Sequence, residues 1–482
     1  MDRIKHLLTV TFLIAGGMCS AHVVTYPAPP DRYLSTDYEI TVDGKEVPVY
    51  RAYTQHFDKK YSLAYFDIEG PVTVTVHSAF PLDHLLLLPD TAGINAVIDG
   101  KTATFVVDRP VDFSFEPDGR NSPLLLFINP VETAIPDPND PQVVWFGPGE
   151  HNPENGLIHL TEGQTLYLAG GAVVNAGIEA SGKNIRICGR GILDGSDWEH
   201  NAGPTDFMVN AMGCDNFVIQ DIIIKGSYYW TIVPRDSDRV LIDHVRLAGS
   251  RVGNDDGVDP CNCSNVTIRR CFFRTDDDSI SPKGITRAGG ENTSRPVENV
   301  LVEDCVFWVD FANVFRINTE SSCPITRNIS VRDIDVIHFP DRDQVQIFWL
   351  HPTGEMPLEN LSFERVRIHG EYPFNLIKIS PSLQLVGTRP IEKPRPNNIR
   401  YGPGRRGTGS CGYGEFVVIP SFGPYVHNVT FRDIVTYGDS PRKEERGNIV
   451  IQGIDDVHDV ANVHLENVFY FGKKMDEIVP LP

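Results

Sequence analysis

The segment Asn265-Val266-Thr267-Ile268 decides the fold of this 482-residue chain, because its pattern of asparagine, apolar, polar and apolar residues recurs. The recurring units are mostly 23 to 34 residues long. Strands of this pattern turn alternate side chains to one face, and stacked repeats join those faces into a continuous core. We therefore expect an all-β fold with a right-handed parallel β-helix, whose asparagines stack at a turn. The Asn-x-Ser/Thr matches within the units are interpreted as coil turns rather than glycosylation sites. The other units are Asn184-Ile185-Arg186-Ile187, Asn216-Phe217-Val218-Ile219, Asn299-Val300-Leu301-Val302, Asn328-Ile329-Ser330-Val331, Asn360-Leu361-Ser362-Phe363, Asn428-Val429-Thr430-Phe431, Asn462-Val463-His464-Leu465, and Arg239-Val240-Leu241-Ile242, which lacks the asparagine.

One interval in this series is longer than the others, since 68 residues separate Asn360 from Asn428. It contains the stretch from Thr388 to Gly414, which is rich in proline, glycine and arginine. Long irregular loops in compact proteins commonly carry function. We interpret this stretch as a long loop on one coil that forms a wall of a binding cleft.

The N-terminal part of the chain has a different pattern, with alternating strands joined by tight turns. Asp43-Gly44 and Asp99-Gly100 are hairpin signals, and residues 134–141, AIPDPNDP, are typical of a stiff polar linker. We predict an antiparallel β-sandwich domain in residues 22–142 and a β-helix catalytic domain in residues 143–482. The sandwich strands include Tyr38–Val42, Val72–Val76, Ala103–Val107 and Leu124–Ile128.

Residues 1–21 are typical of a signal peptide. A short basic start is followed by an apolar run from Leu7 to Ile14 and by small residues. The run is too short for a membrane helix, which needs about 20 apolar residues, and no other segment is suited to span a membrane. We expect a secreted or periplasmic protein cleaved before His22. Lipid attachment at Cys19 is a less favoured alternative, because Gly17-Met18 matches such a site poorly.

The charge of the chain limits its partners. The net charge is -21 and the pI is about 5.1, whereas binding to nucleic acid or an anionic membrane requires a basic face. We therefore expect no nucleic-acid partner and favour a neutral or cationic ligand. The same acidity also keeps an exported protein soluble.

Eight of the nine cysteines follow the signal peptide. The spacing of Cys261, Cys263 and Cys271 does not fit a zinc site. A disulfide or buried thiols stacked within a coil is the favoured interpretation. No metal or other cofactor is expected.

Two acidic clusters lie on consecutive units, NDDGVD at residues 254–259 and TDDDSI at residues 275–280. The 21 residues from Asp256 to Asp277 approximate one coil, so these side chains are expected to stack near each other. An inverting glycosidase needs one protonated carboxyl as acid and carboxylates that activate water, at separations of about 6.5–9.5 Å. Asp256, Asp277 and Asp278 can form this set, and crowding should raise the pKa of at least one. The alternative is that these acids only form turns or hold calcium.

The acidic clusters resemble the conserved block of glycoside hydrolase family 28, the polygalacturonases. The resemblance rests on NDDGVD, on NVTI at residues 265–268, and on DDSI with Lys283-Gly284. It implies that Asp277 is the general acid and that Asp256 and Asp278 hold and activate the water.

Other family 28 motifs are changed in this chain. The Gly-His-Gly motif has its counterpart in Ala312-Asn313-Val314, without the histidine. The Arg-Ile-Lys motif corresponds either to Arg316-Ile317-Asn318, with one cation, or to Gln346-Ile347-Phe348, with none. Because those cations bind the galacturonate carboxylate, the changes disfavour a pectin substrate.

Segments before and after the acidic clusters resemble glycoside hydrolase family 49, the dextranase and isopullulanase group. That family shares the β-helix, the preceding β-sandwich and the three-aspartate inverting site. The resemblance covers roughly residues 143–340 and implies a neutral α-glucan as substrate. The similar segments are WFGPGEH at residues 145–151, LAGGAVV at 168–174, GRGILDG at 189–195, RDI at 332–334 and VIH at 336–338.

Further residues are candidates for binding the substrate. Aromatic faces stack on sugar rings, but the same rings can instead pack within a coil, and both interpretations stay open for the two tryptophans. The two cations can bind sugar hydroxyls or neutralise the aspartates, and the second interpretation is favoured. Glu320 is a further candidate without a predicted position. The substrate-binding candidates are Asn254, Trp230, Lys283, Asn313, Arg316 and Trp349.

Three classes of function remain open after this comparison. The favoured one is an inverting glycoside hydrolase that acts on a neutral α-glucan, with a polygalacturonase-like pectin hydrolase as the related alternative. A calcium-dependent polysaccharide lyase and a non-catalytic glycan-binding β-helix are the other two. The chain contains no HExxH, P-loop, dinucleotide-binding or Gly-x-Ser-x-Gly motif.

Overall fold

The computed structural model describes residues 22–284, 294–317, 321, 323–353, 356–382, 424–438, 440, 442 and 447–475. The predicted signal peptide, the predicted loop from Thr388 to Gly414, and the residues Cys19, Asn318 and Glu320 lie outside these residues. Helix in the described part is limited to three 3₁₀ turns, Asp31–Tyr33, Asp90–Ala92 and Glu154–Gly156. None of these is long and apolar enough to cross a membrane.

The N-terminal strands form two sheets that pack on each other as a sandwich. Valine, isoleucine and phenylalanine alternate along the strands, so one face of each sheet joins a shared apolar core. The first sheet contains β1 (His22–Val24), β4 (Val49–Tyr53), β5 (Lys60–Glu69), β7 (Leu86–Leu88), β10 (Val111–Glu116) and β11 (Leu124–Pro130). The second contains β2 (Tyr38–Val42), β3 (Lys45–Val47), β6 (Val72–Ser78), β8 (Val97–Asp99) and β9 (Thr102–Val107).

One pairing in the sandwich differs from the predicted antiparallel arrangement. β11 runs parallel to β5, with Leu124 opposite Ser62. The two strands are separated in sequence by strands of the second sheet, and such a crossover can return the chain in the same direction. The hairpin turns form as predicted, since Asp43 and Gly44 have φ of 47° and 78° and Gly100 has φ of 61°.

From Val143 onward the chain winds into a parallel β-helix, which confirms this part of the predicted fold. Three ladders of parallel strands run along it and enclose one apolar interior. The first ladder contains β12 (Val143–Phe146), β15 (Thr165–Leu168), β18 (Lys183–Gly189), β21 (Asp215–Gln220), β24 (Asp238–Asp243), β26 (Ser264–Arg269), β28 (Val297–Glu303), β31 (Thr326–His338), β33 (Leu358–His369), β35 (Val426–Tyr437) and β37 (Val460–Tyr470).

The other two ladders complete each coil. The second contains β13 (Gly149–His151), β16 (Ala172–Asn175), β19 (Ile192–Asp194), β22 (Ile223–Lys225), β25 (Arg246–Ala248), β27 (Phe272–Thr275) and β29 (Val306–Val309), and β29 then pairs with the later part of β31. A short β38 (Lys473–Lys474) pairs antiparallel with β37. The third contains β14 (Leu157–Leu160), β17 (Gly177–Ala180), β20 (Val209–Met212), β23 (Ile232–Arg235), β30 (Phe315–Ile317), β32 (Gln346–Leu350), β34 (Asn375–Ile379) and β36 (Ile449–Ile451).

The asparagines of the repeat form a side-chain ladder at one turn of the β-helix. Each has φ between 54° and 59° at Asn265, Asn299, Asn328, Asn360, Asn428 and Asn462, in the left-handed region that asparagine tolerates. The Asn265 amide donates to the carboxylate of Asp238 on the preceding coil at 2.7 Å. Each later asparagine donates to the amide oxygen of the one before it, as from Asn328 to Asn299 at 3.1 Å and from Asn360 to Asn328 at 3.2 Å. Asn428 donates directly to Asn360 at 3.1 Å. The long sequence interval therefore does not interrupt the ladder.

Apolar and charged contacts fix the sandwich against the second ladder. Tyr61, Leu63 and Phe127 on the first sheet pack against a row that includes Phe272 and Trp308. Arg274 is fully buried between them. Its guanidinium lies 4.2 Å from the ring centre of Tyr61 and 4.1 Å from that of Trp308. Its charge is paired with the buried carboxylate of Asp310 at 3.1 Å, and the two rings add cation–π contacts. The sandwich and the β-helix therefore share a polar and apolar interface.

All seven cysteines in the described part of the chain are buried free thiols. Of the two interpretations from the sequence, buried thiols rather than a disulfide are therefore present at these seven cysteines. Cys271 and Cys305 lie at equivalent positions of neighbouring coils, because Phe272 pairs with Val306. Burial raises the pKa of the Cys305 thiol well above its usual range, so these groups act as small apolar side chains.

We predict that Asn328→Ala destabilises the β-helix by about 2–3 kcal/mol, because it forces alanine into left-handed backbone and removes two amide hydrogen bonds. Asn328→Gly keeps the backbone freedom and should lose about 1–2 kcal/mol. Urea unfolding followed by circular dichroism measures both. Equal effects of the two substitutions would contradict a role for the backbone conformation.

Candidate active site

The acidic clusters lie where the third ladder narrows to single bridges. Val258 bridges Ile232 and Ile280 on the adjacent coils, and Ile280 bridges Phe315. The residue two positions before each bridge therefore occupies the same place on successive coils. This register, continued by the pairing of Phe315 with Phe348, gives a column that contains Trp230, Asp256, Asp278, Asn313 and Gln346.

The column corrects the predicted stacking of the acids. The sequence interval matched Asp256 with Asp277, whereas the bridge from Val258 to Ile280 makes Asp278 the equivalent of Asp256. The coil is thus 22 residues long at this point. Asp255 stabilises this register, because its carboxylate accepts hydrogen bonds from the backbone N–H of Ser250 and, at 2.6 Å, from that of Asp276.

The structure brings together the three aspartates that the sequence singled out. One carboxylate oxygen from each of Asp256, Asp277 and Asp278 lies within 4.8 Å of the others. Asp256 and Asp278 are buried, and Asp277 is partly exposed. Of the three, Asp277 is therefore the side chain that a ligand reaches first. Their catalytic roles stay a prediction.

Asp256 belongs to a buried charge cluster. The Lys283 ammonium lies 3.0 Å from an Asp256 oxygen and 3.3 Å from an Asp259 oxygen, and all three side chains are buried. Burial and the nearby Asp259 raise the pKa of Asp256 well above its usual range, and Lys283 opposes the rise. The lysine thus offsets part of the repulsion between stacked acids.

Asp278 is held from the next coil. The side-chain amide of Asn313 donates to its carboxylate at 2.7 Å, and the Asn313 backbone N–H donates at 3.2 Å. The Asn313 side-chain oxygen accepts from the backbone N–H of Gln346 at 2.8 Å. The Arg316 guanidinium lies 3.4 Å from the other Asp278 oxygen. Asn313 and Arg316 therefore fix the orientation of the Asp278 side chain.

The surroundings of Asp277 suit a general acid. Its carboxylate accepts hydrogen bonds from the Asn254 amide at 3.1 Å and from the Asp278 backbone N–H at 2.9 Å. Burial first, and then the charge of Asp278, raise the pKa of Asp277 to about 7, against the opposing effect of Arg316. A carboxyl group with this pKa carries a proton at mildly acidic pH and can donate it.

Three of the predicted substrate-binding residues are buried in the structure. Trp230, Lys283 and Asn313 are 3%, 1% and 1% exposed. The Trp230 ring stacks on Phe207 at a centroid distance of 5.2 Å, with the Lys283 ammonium 3.3 Å from its centre. Lys283 thus pairs with Asp256, as the favoured interpretation expected, and Asn313 binds Asp278. A role of these three residues in substrate binding stays a prediction.

The other three predicted substrate-binding residues are accessible. Asn254, Arg316 and Trp349 are each partly exposed. The Trp349 ring has Arg316 at 4.5 Å on the adjacent coil and Lys378 at 5.0 Å on the following one. This group of one ring and two cations is suited to line a cleft beside the acids. Lys378 was missed, since its sequence context carries no motif.

The sequence also did not indicate a contribution from the sandwich. His56, between β4 and β5, forms a hydrogen bond with the carboxylate of Asp276. The two residues are 220 positions apart, so only the folded chain brings them together. Asp276 directly precedes Asp277, which places the sandwich next to the acid site.

Three carboxylates at this separation can also hold a metal ion, because hard cations prefer oxygen ligands. Two of the three already have cations beside them, Lys283 at Asp256 and Arg316 at Asp278. These cations compete with a metal for the same negative charge. The arrangement therefore favours proton chemistry over calcium binding.

Comparison with known proteins supports a glycosidase of the β-helical class. Residues 172–289, which include all three aspartates, match the model of Glycosyl hydrolases family 28. A "Probable polygalacturonase" from Vitis vinifera is 24% identical over 133 residues, which cover 27% of this chain and 27% of that protein.

A solved structure shows the same fold. Dex49A from Penicillium minioluteum superposes with a TM-score of 0.55 at 13% identity, covering 93% of this chain and 99% of that chain. An exopolygalacturonase from Thermotoga maritima gives a TM-score of 0.45 at 17% identity, with coverage of 67% and 86%. The match over residues 172–289 confirms the predicted resemblance to family 28, and the likeness to Dex49A shows the same fold.

We predict that Asp277 titrates near pH 7, which difference infrared spectroscopy of the wild type against Asp277→Asn can measure. Asp278→Asn should lower this pKa, because it removes a like charge, and Arg316→Met should raise it, because it removes a cation. Titration near pH 4, the ordinary value for aspartate, would contradict the proposed setting of the acid.

Proposed function

We propose that this protein is a secreted glycoside hydrolase that cleaves a polysaccharide or oligosaccharide with inversion at the anomeric carbon. The cluster of Asp256, Asp277 and Asp278 within 4.8 Å, together with the raised pKa of the partly exposed Asp277, is the observation that carries the proposal. Secretion rests on the signal-peptide pattern of residues 1–21.

The proposed reaction divides the roles among the three acids. Asp277, protonated near neutral pH, donates its proton to the leaving glycosidic oxygen. Asp256 and Asp278 hold a water and accept its proton as it attacks the anomeric carbon from the other side of the ring. Arg316 and Asn313 orient Asp278, and Lys283 opposes the rise in the pKa of Asp256.

The spacing of the three acids does not itself predict inversion at the anomeric carbon. The nearest oxygens lie within 4.8 Å, which is shorter than the carboxyl separation of about 6.5–9.5 Å that leaves room for water in inverting enzymes. Inversion is therefore proposed from the resemblance to families 28 and 49, and the anomer of the first product tests it.

A neutral α-glucan is the proposed substrate. The charged groups nearest the acids have partners, since Lys283 is buried against Asp256 and Asp259 and Arg316 lies against Asp278. A uronate carboxylate would have to compete with these aspartates. Sugar hydroxyls can instead bind the partly exposed Asn254 and stack on Trp349.

One observation favours a pectin hydrolase as the second candidate. Lys378 lies with Arg316 around Trp349 and supplies a second cation that the sequence motif lacked. Burial and the nearby Arg316 lower the pKa of Lys378, an effect that a bound carboxylate would reverse. The matched family and the Vitis vinifera relative point in the same direction.

We predict that Asp277→Asn lowers kcat by about 10²–10⁴-fold, because the leaving oxygen then receives no proton. The surface variant Asp108→Asn is the matched control and should keep wild-type activity. Product release from dextran, pullulan, arabinan and polygalacturonate measures the rate, and NMR of the first product identifies its anomer. Near-normal activity of Asp277→Asn would refute the proposal.

The same assay separates the remaining alternatives. An unsaturated product and loss of activity with a chelator would identify a lyase. Binding without product release would identify a glycan-binding module.

Lys378→Met distinguishes the two substrate classes. If the substrate is neutral, this variant should change KM by less than about threefold, because no charge pair is lost. If the substrate is a uronate, KM should rise by about tenfold or more, since a charge-assisted hydrogen bond is removed. Steady-state kinetics on dextran and polygalacturonate provide the comparison.

A further inference from the structure

The loop between β4 and β5 reaches from the sandwich to the coils of the acid site. The Gln55 backbone N–H donates to the Ser250 carbonyl at 2.8 Å, and the Thr54 hydroxyl donates to the Ser250 hydroxyl at 3.2 Å. His56 forms its hydrogen bond with Asp276. The loop is therefore anchored on the coils that carry the acidic clusters.

A row of rings extends from this anchor. Phe311 follows Asp276 by one coil, because Asn313 and Asp278 share a register. The His56 ring lies 6.1 Å from the Phe311 ring and 6.3 Å from the Phe57 ring, measured between centroids. Phe311 and Phe57 are 43% and 42% exposed. Exposed apolar side chains that lie next to one another form a patch, and such patches often mark binding grooves.

The backbone at Phe57 is strained. Its φ of 45° lies in the left-handed region, which costs a residue with a bulky side chain about 1–2 kcal/mol. The ring gains little burial in exchange, since it stays exposed. Strain of this kind concentrates at functional sites.

Phe57 lines a cleft between the sandwich and the later coils. The cleft has a volume of about 540 Å³ and is lined by Phe57, Arg120, Asn121, Glu371 and Tyr372, among others. The Arg120 guanidinium lies 5.7 Å from the Phe57 ring and 5.1 Å from the Tyr372 ring. Tyr372 is 38% exposed. Exposed rings beside amide, carboxylate and guanidinium groups match the apolar faces and hydroxyls of a sugar chain.

We propose that this cleft is a saccharide-binding subsite that holds the glycan chain cleaved at the acid site, with Phe57 and Tyr372 as its stacking rings. The sandwich then takes part in substrate binding instead of only bracing the β-helix. His56 is a positioning residue that joins the subsite to the turn of Asp276 and Asp277. The proposal rests on the proposed function for the identity of its ligand.

Binding can be measured apart from catalysis in the full-length Asp277→Asn variant. Affinity electrophoresis in gels that contain dextran, pullulan, arabinan or polygalacturonate gives a dissociation constant from the retardation of the band. We expect retardation in at least one gel, weakened by about tenfold or more when Phe57→Ala and Tyr372→Ala are added, because both stacking surfaces are removed.

The matched control is Val106→Ala in the same background. Val106 is an exposed apolar residue on β9 of the other sheet, and its removal should leave retardation unchanged. Melting temperatures identify any unfolded variant, in which case Phe57→Leu and Tyr372→Leu replace the alanines, since they keep bulk but remove the ring.

Two results would overturn the subsite. One is retardation that the double substitution leaves unchanged in every gel, and the other is no retardation of the parent variant in any gel. Failure of the proposed function gives a different result, because the wild-type chain would then release no product from the four polymers.

Discussion

The parallel hydrogen-bonded register between coils is the constraint on which the rest of the structure depends. It requires each coil to turn at the same place, and the left-handed asparagines from Asn265 to Asn462 provide that turn. Their amides bond only to the coil before and the coil after, so each coil is stabilised by its neighbours. Because the same register runs through the third ladder, it also decides which side chains meet at the acid site.

At the acid site, a column of equivalent positions brings reactive side chains together. Asp256, Asp278 and Asn313 occupy one column, so a carboxylate, a second carboxylate and an amide lie on successive coils. Asp277 lies one residue outside the column and stays partly exposed. The stacked acids need nearby cations to coexist, and Lys283 and Arg316 provide them. The raised pKa of Asp277 arises from its burial and from the charge of the adjacent Asp278.

Local sequence patterns predicted part of the fold and part of the site. The asparagine repeats predicted the β-helix, and the two acidic clusters predicted which carboxylates approach each other. The register was wrong by one residue, because adjacent acids leave the alignment of two coils ambiguous. The sequence left open whether Trp230 packs within a coil and favoured Lys283 as a partner of the aspartates. It could not give the extent of their burial, which depends on which face of a turn meets the next coil. The contact of His56 with Asp276 joins distant parts of the chain, so a local sequence pattern cannot predict it.

The buried thiols have a consequence for how the β-helix opens. Cys188, Cys214, Cys263, Cys271, Cys305 and Cys323 are distributed along the coils from the N-terminal side to the acid site and beyond it. A buried thiol can be modified only when its own coil separates from the neighbours. The thiols can therefore report on local unfolding. The order in which they are alkylated under mild denaturant gives the order in which the coils open.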